Sequence, residues 1–316
     1  MTTLQTDAIV ESVPNFSEGT DSTIVSSIVA AMQVDEVRLL DWSLDTAHNR
    51  SVVTIAGPPA AVVESAVRGA GRASKLIDLT KQSGVHPRIG AADVVPFVPV
   101  HGLSLAETAL LARQAGLEIW RRFGVPVYFY EAAAARPDRV NLEDVRRGQF
   151  EGLRESAHRD IQRRPDIGGP EIHPTAGASA VGARRFLIAY NIYLGQPNHP
   201  GAPGDITAAR AIARAIRASA GGMHGVKAIG VTVNGRAQVS MNITDFRITP
   251  MHQVHAAVRE LARNHGAVAA EGELIGLIPQ DACDLTSEWV REIPNFDPEA
   301  KILERKLHHP LPWPVA

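Results

Sequence analysis

The chain has 316 residues, 45% hydrophobic and 21% charged, ordinary globular values in a length that suits two modest domains. Its formal net charge of -2 offers no electrostatic footprint for nucleic acid or a membrane surface. Cys283 is the single cysteine, which excludes a disulfide framework and a cysteine-based zinc site. Met1 to Val10 lacks the pattern of a secretory signal, and no apolar run approaches the roughly 18 residues of a membrane span, so a cytoplasmic location is expected.

In chain order, Ala8 to Val13 reads as a strand ended by Pro14-Asn15. Asp21 to Met32 has helical spacing, with Asp21 as a candidate N-cap. Val37 to Trp42 and Ser51 to Ala56 read as strands. Pro59 to Leu76 is a helix opened by proline, and Val94 to Val98 is a fourth strand. This β-α-β-β-α-β order is the ferredoxin-like pattern. An extra helix, Ser104 to Phe123, and a strand, Pro126 to Tyr130, follow. Arg136 to Arg164 mixes arginines with acidic residues and reads as a solvated helical face, with an arginine reaching a substrate carboxylate as the other use.

From Pro165 to Ala178 the turn formers argue for a loop. A second copy of the same order then begins. Phe186 to Tyr193 is a strand, Asp205 to Ala218 a helix, and Val226 to Val233 pairs with Ala237 to Ile243 around Asn234-Gly235, a hairpin signal. Pro250 to Asn264 is a helix and Leu274 to Pro279 a closing strand. The run Val95-Pro96-Phe97-Val98-Pro99 resembles Ile275-Gly276-Leu277-Ile278-Pro279, as duplication would produce. The expected architecture is α+β, with two tandem ferredoxin-like subdomains over residues 1–183 and 184–316.

The segment richest in chemistry is Gly84-Val85-His86-Pro87-Arg88-Ile89-Gly90. Pro87 biases His86 toward an extended conformation, and Arg88 sets a fixed positive charge beside it. Taken alone, a loop histidine is more often a hydrogen-bonded structural group than a catalyst. Arg88 has two equal uses, contacting a substrate or pinning its own loop to Asp93. The remaining histidines show no further ligand motif, and His252 with His255 on one helix face is a poor metal site.

The chain resembles the glutamate formiminotransferases, the transferase half of formiminotransferase-cyclodeaminase. The matching residues include Val13-Pro14-Asn15-Phe16-Ser17-Glu18-Gly19, Asn49-Arg50, His86-Pro87-Arg88 through Pro99, and Val125-Pro126-Val127-Tyr128. Pro165-Asp166, Gly182 through Ala189, Gln238-Val239-Ser240-Met241-Asn242 and Leu274 through Pro279 complete the set, in the family's order along nearly the whole chain. The resemblance implies a folate-binding tunnel between two subdomains, usually in a homodimer, and no cyclodeaminase domain. It also implies transfer of a formimino group from N-formimino-L-glutamate to N5 of tetrahydrofolate, with tetrahydrofolate as co-substrate and without a metal.

By the same resemblance His86 is the catalytic histidine. The folate-binding loop falls on Arg164, Pro165, Asp166, Ile167, Gly168, Gly169, Pro170, Glu171, Ile172 and His173. His173 also reads as a plain turn residue before Pro174. The family's Asp-x-Asp becomes Asp41-Trp42-Ser43 here, and Ser43 cannot replace a carboxylate. Asp41 or Asp45 is therefore the expected acidic partner of His86.

The transfer needs one proton taken from N5 and one given to the departing glutamate nitrogen, which an imidazole can do near neutral pH. Glutamyl carboxylates call for guanidinium groups, and Arg50, Arg88 and Arg184 lie in or beside the matched motifs. For Arg50 a structural salt bridge is the competing use. The alternatives to this function are a related folate enzyme using formylglutamate or 5-formyltetrahydrofolate, and a non-catalytic folate-binding protein.

Overall fold

The computed structural model describes residues 7–84, 87–202, 204–294 and 296–315. The chain forms two compact units, Met1–Arg184 with Pro310–Ala316, and Arg185–His309. The return of the last residues to the first unit is marked by the Leu311 N–H, which donates to Leu39 O at 2.7 Å. Among the described residues no helix is long and apolar enough to cross a membrane.

In the first unit β1 (Ile9–Ser12) and β2 (Asn15–Phe16) lead to α1 (Ser22–Ala31). Asp21 caps α1 by accepting the N–H groups of Thr23 and Ile24 at 2.8 and 3.2 Å, which satisfies donors the helix cannot. β3 (Arg38–Asp45), β4 (Arg50–Gly57), α2 (Pro59–Leu76) and β5 (Ala92–His101) follow. α3 (Leu105–Phe123) starts at a capping box of Ser104 and Glu107 and stops at Gly124 in the left-handed region.

Next come β6 (Val127–Glu131), the short helices α4 (Leu142–Val145) and α5 (Gln149–Ser156), and β7 (Ser179–Ala183). The strands make one seven-stranded sheet in which β1 and β2 both lie between β4 and β5. β3 flanks β4, while β7 and then β6 extend the other side in parallel. Its core runs from Val25, Ile28 and Val29 of α1 through Val62, Ala66 and Val67 of α2 to Phe16, Val53, Ile55 and Phe97 of the sheet.

The second unit runs β8 (Ile188–Gly195), α6 (Ile206–Ile216), β9 (Val226–Val233), β10 (Arg236–Ile243), α7 (Met251–Asn264) and β11 (Val268–Ile275). Its sheet is antiparallel throughout, in the order β11-β8-β10-β9. Ile188, Tyr190, Ile192 and Leu194 alternate along β8 and share a core with Ile212 and Ile216 of α6 and Val254 and Val258 of α7. Asn234 and Gly235, at φ 50° and 76°, make the turn between β9 and β10.

Two expectations are corrected, and one strand is added. The closing strand is Val268–Ile275 rather than Leu274 to Pro279, because Gly276 at φ 70° turns the chain where the expected strand would continue. β7 lies just past the expected loop, in a stretch to which the sequence assigns no element, since its Ser-Ala-Val-Gly-Ala sequence has little strand propensity. It is formed by parallel pairing on both sides, and a side chain at Gly182 would stand 2.5 Å from the Tyr130 ring. Residues 136–164 are not one solvated face. Val145, Phe150, Leu153 and Ala157 enter the core, and Arg139 is buried with them.

Candidate active site

The Ser17-Glu18-Gly19 motif and Asn49 hold the loop that approaches residue 86 from both sides. Ser17 Oγ donates to Gly90 O at 2.7 Å, and the Ser17 N–H to Ala91 O at 3.0 Å. The Asn49 carboxamide accepts the Gly19 N–H at 2.9 Å and donates to Ser83 O at 3.0 Å and to Gln82 Oε1. Only glycine fits at position 19, where a side chain would stand 2.3 Å from Arg50 N and Asp45 O. Val85 and His86 themselves lie outside the described residues.

Glu18 Oε1 accepts the N–H groups of Thr20 and Asp21 at 2.8 and 2.9 Å and the Thr20 hydroxyl at 2.7 Å; Oε2 accepts Gln82 Nε2 at 2.6 Å. Burial pushes this carboxyl's pKa up, yet the hydrogen bonds outweigh it and hold it below the ordinary glutamate value. A depressed folded pKa contributes stability above the unfolded value that is lost as pH falls through the folded one. We expect Glu18→Gln to be less stable than the wild type at pH 7 in urea unfolding. The difference should shrink as pH drops below about 4.5. A pH-independent difference would contradict the assignment.

Asp93 is the node of a second network. Asn15 faces Val94 and Phe16 faces Ala92, so Asp93 is the extra residue of a β-bulge in β5, a device that re-aims a side chain. Its Oδ1 accepts the Ile89 N–H at 2.8 Å, and its Oδ2 receives Arg146 and, at 3.4 Å, Arg50 Nη1. Arg50 also donates to Asn15 Oδ1 from Nε at 2.8 Å and from Nη2 at 2.5 Å. Burial, followed by the nearby Arg146 charge, pushes the Arg50 pKa down to about 9; Asp93 acts in the opposite direction. Arg50 thus stays cationic at neutral pH. Burial pushes the Tyr130 phenol up to about 12, against the opposing charges of Arg184 and Arg146. Arg184 also hydrogen-bonds the Tyr130 side chain.

Arg88 does pin its loop, though not to Asp93. Its Nη2 donates to Gln82 O at 2.7 Å and Leu79 O at 3.4 Å and pairs with Glu151 at 3.1 Å. Asp93 holds the Ile89 backbone instead. Asp41, Ser43 and Asp45 alternate on one face of β3, with Trp42 and Leu44 turned to the core. Four strand positions set their Cα atoms about 13 Å apart, with Asp41 opposite Thr54 and Asp45 opposite Arg50. Asp45 is committed to His48, accepting its Nδ1 at 2.6 Å and its N–H at 3.0 Å, and the His48 side chain is the first cause holding its pKa below the usual value.

Residues 164–173 divide into anchored and open positions. Asp166 pairs with Arg139 at 2.6 Å and accepts the Phe129 N–H at 2.8 Å, so both its oxygens serve the fold. Ile167 bridges to Val127, and Ile172 is buried. Arg164, Gly169, Pro170 and Glu171 are exposed. His173 Nδ1 accepts the N–H groups of Thr175 and Ala176 at 3.3 and 3.0 Å, which is the plain turn role, and burial lowers its pKa.

Arg146 and the node role of Asp93 escape sequence reasoning. Arg146 lies in the stretch that reads as a solvated face, and 53 residues separate it from its partner. Asn15 belongs to a matched motif, yet nothing in the sequence assigns it a role. Among the described residues no group of three or more metal-ligating side chains gathers.

A model of the formiminotransferase domain, N-terminal subdomain, matches residues 9–184, and one of the formiminotransferase domain matches residues 189–295. A glutamate formimidoyltransferase of Streptococcus pyogenes serotype M1 is 41% identical over 302 residues, covering 95% of this chain and 98% of that protein. One of Thermoplasma acidophilum is 40% identical over 305 residues, covering 95% and 97%. The formimidoyltransferase-cyclodeaminase of Mus musculus is 35% identical over 329 residues, covering 94% of this chain and 59% of that protein.

Proposed function

We propose the reaction from one premise: the chain belongs to the formiminotransferase family. It is a transferase that moves a formimino group from N-formimino-L-glutamate to N5 of tetrahydrofolate. Tetrahydrofolate is the co-substrate, and the transfer balances without a change of oxidation state. The observation that carries this reading is the Asp93 node. One carboxylate gathers Arg50 and Arg146 and fixes the backbone of Ile89, three residues past His86. A cationic cluster suits the carboxylates of the donor, and the histidine loop tied to it suits proton transfer at the amidine.

In this reading His86 takes the proton from N5 and later returns one to the departing nitrogen of glutamate. Asp41 is its acidic partner, since Asp45 is already engaged by His48. Arg50 and Arg184 receive glutamyl carboxylates, whereas Arg88 holds the loop. The exposed part of 164–173 contacts the folate. The enzyme works in the cytoplasm as a homodimer, and sedimentation of the purified protein checks that state.

The test is a comparison of donors with purified protein and tetrahydrofolate. N-formimino-L-glutamate should support turnover at a kcat/KM well above that of N-formyl-L-glutamate, with product read by acid conversion to the methenyl form. Faster transfer from the formyl donor would move the assignment to a related folate enzyme. Folate binding without turnover on any donor would leave a binding protein.

A further inference from the structure

We propose that Arg146, set beside Arg50 by Asp93, seats a glutamyl carboxylate of the substrates. The inference rests on the reaction proposed above and adds to it a residue and a ligand group. Among the described residues Arg146 donates only to Asp93, so this guanidinium keeps donors for a second anion. Arg146 Nε is buried and, among the described residues, has no hydrogen-bond partner. A buried unmade donor is costly, so Arg146 is held in this place against a penalty, and the accessible end of its guanidinium is what a carboxylate would meet. The side chains of Arg50 and Arg146 are 16% and 12% exposed, enough to meet a ligand and dry enough for a charge-assisted bond to count.

Asp93 is the positioning residue. It is 2% exposed, is aimed by its bulge, and is tied through Oδ1 to Ile89. It therefore sets where Arg50 and Arg146 stand relative to the backbone that follows His86-Pro87-Arg88. The backbone course of α4 into Gly148 delivers Arg146 from a separate part of the chain. A seat assembled from β4, β5 and the turn after α4 depends on tertiary structure as well as on the loop motif.

Carboxylates reach such a seat from the donor or from the glutamyl tail of the folate, and the experiment separates them. Wild type, Arg146→Ala and Arg146→Lys are titrated calorimetrically with L-glutamate, with tetrahydrofolate and with tetrahydropteroate, which lacks the glutamyl tail. The alanine variant should weaken a carboxylate-bearing ligand by about 30-fold or more while leaving tetrahydropteroate unchanged. The lysine variant should restore part of the loss, because it keeps the charge without the planar fork.

A loss for L-glutamate alone assigns the seat to the donor; a loss for tetrahydrofolate alone assigns it to the folate tail. Equal weakening of all three ligands, or none, in a variant with wild-type melting behaviour would overturn the proposal. Should the alanine variant not fold, the lysine variant decides by the same comparison. Binding is read without turnover. Failure of the seat is therefore distinguishable from failure of the reaction, which would appear as absent transfer in the wild type.

Discussion

His86→Ala is expected to lower kcat by about 10²–10⁴-fold, the usual worth of a positioned proton-transfer group, while tetrahydrofolate still binds. Substrate positioning should survive, because the loop is held from both sides by groups other than the imidazole. Asn49 and Glu18 grip Gln82 and Ser83, and Asp93 and Ser17 grip Ile89 and Gly90. Stopped turnover with a near-normal tetrahydrofolate affinity is therefore the signature of a chemical role. The pH profile supplies a second readout. In the wild type kcat/KM should fall as the base is protonated on the acidic side, and that limb should be absent from the residual rate of the variant. A variant that keeps more than a tenth of wild-type kcat would remove His86 from the mechanism.

Asp166→Ala should destabilise the fold more than His86→Ala, Glu18→Gln or Arg146→Ala. The Arg139–Asp166 pair has side chains 5% and 9% exposed and closes at 2.6 Å, with Asp166 also accepting the Phe129 N–H. Arg139 lies over the Tyr128 ring at 5.1 Å and donates to the carbonyls of Gln162, at 3.2 Å, and Arg164. Removing one partner leaves a buried guanidinium uncompensated, at a cost of about 3–5 kcal/mol. Urea unfolding should show that loss, and the same variant should raise the KM for tetrahydrofolate because residues 164–173 lose their anchor on β6. A loss below about 1 kcal/mol would show that the pair is not the strut of this segment.

Much of the fold is legible in the sequence because local chemistry and tertiary structure agree. The Asp21 cap, the Ser104–Glu107 capping box and the Asn234-Gly235 turn each specify a boundary from a few neighbouring residues. Legibility fails where pairing partners override propensity. β11 carries Glu271 and Gly272 in its interior and a register shift between Ala269 and Glu271, so the stronger apolar run after it draws the expectation away. β7 consists of small residues that become a strand only between β5 and β6.

The candidate site divides along the same line. Glu18, Asn49 and Arg50 stand in recognisable motifs, and each proves to be tied to the loop around residue 86 or to the Asp93 node. The partnership of Arg146 with Asp93 cannot be read from sequence, since a solvated arginine and a buried one look alike in a charged stretch. Nor can the destination of Arg88, because both of its expected uses require knowing which groups the loop faces. Asp45 and Asp41 look equivalent in the sequence, and the structure separates them by the bond of Asp45 to His48 and by their places on β3, opposite Arg50 and Thr54.

The transferred carbon itself gives the most direct test of the central claim. N-formimino-L-glutamate labelled with ¹³C in the formimino group, mixed with stoichiometric protein and tetrahydrofolate, should show the label leaving the glutamate nitrogen and appearing on N5 in the carbon NMR spectrum. The label should remain on glutamate in the His86→Ala protein over the same interval. A wild-type sample in which the label never leaves the donor, despite bound tetrahydrofolate, would contradict the account.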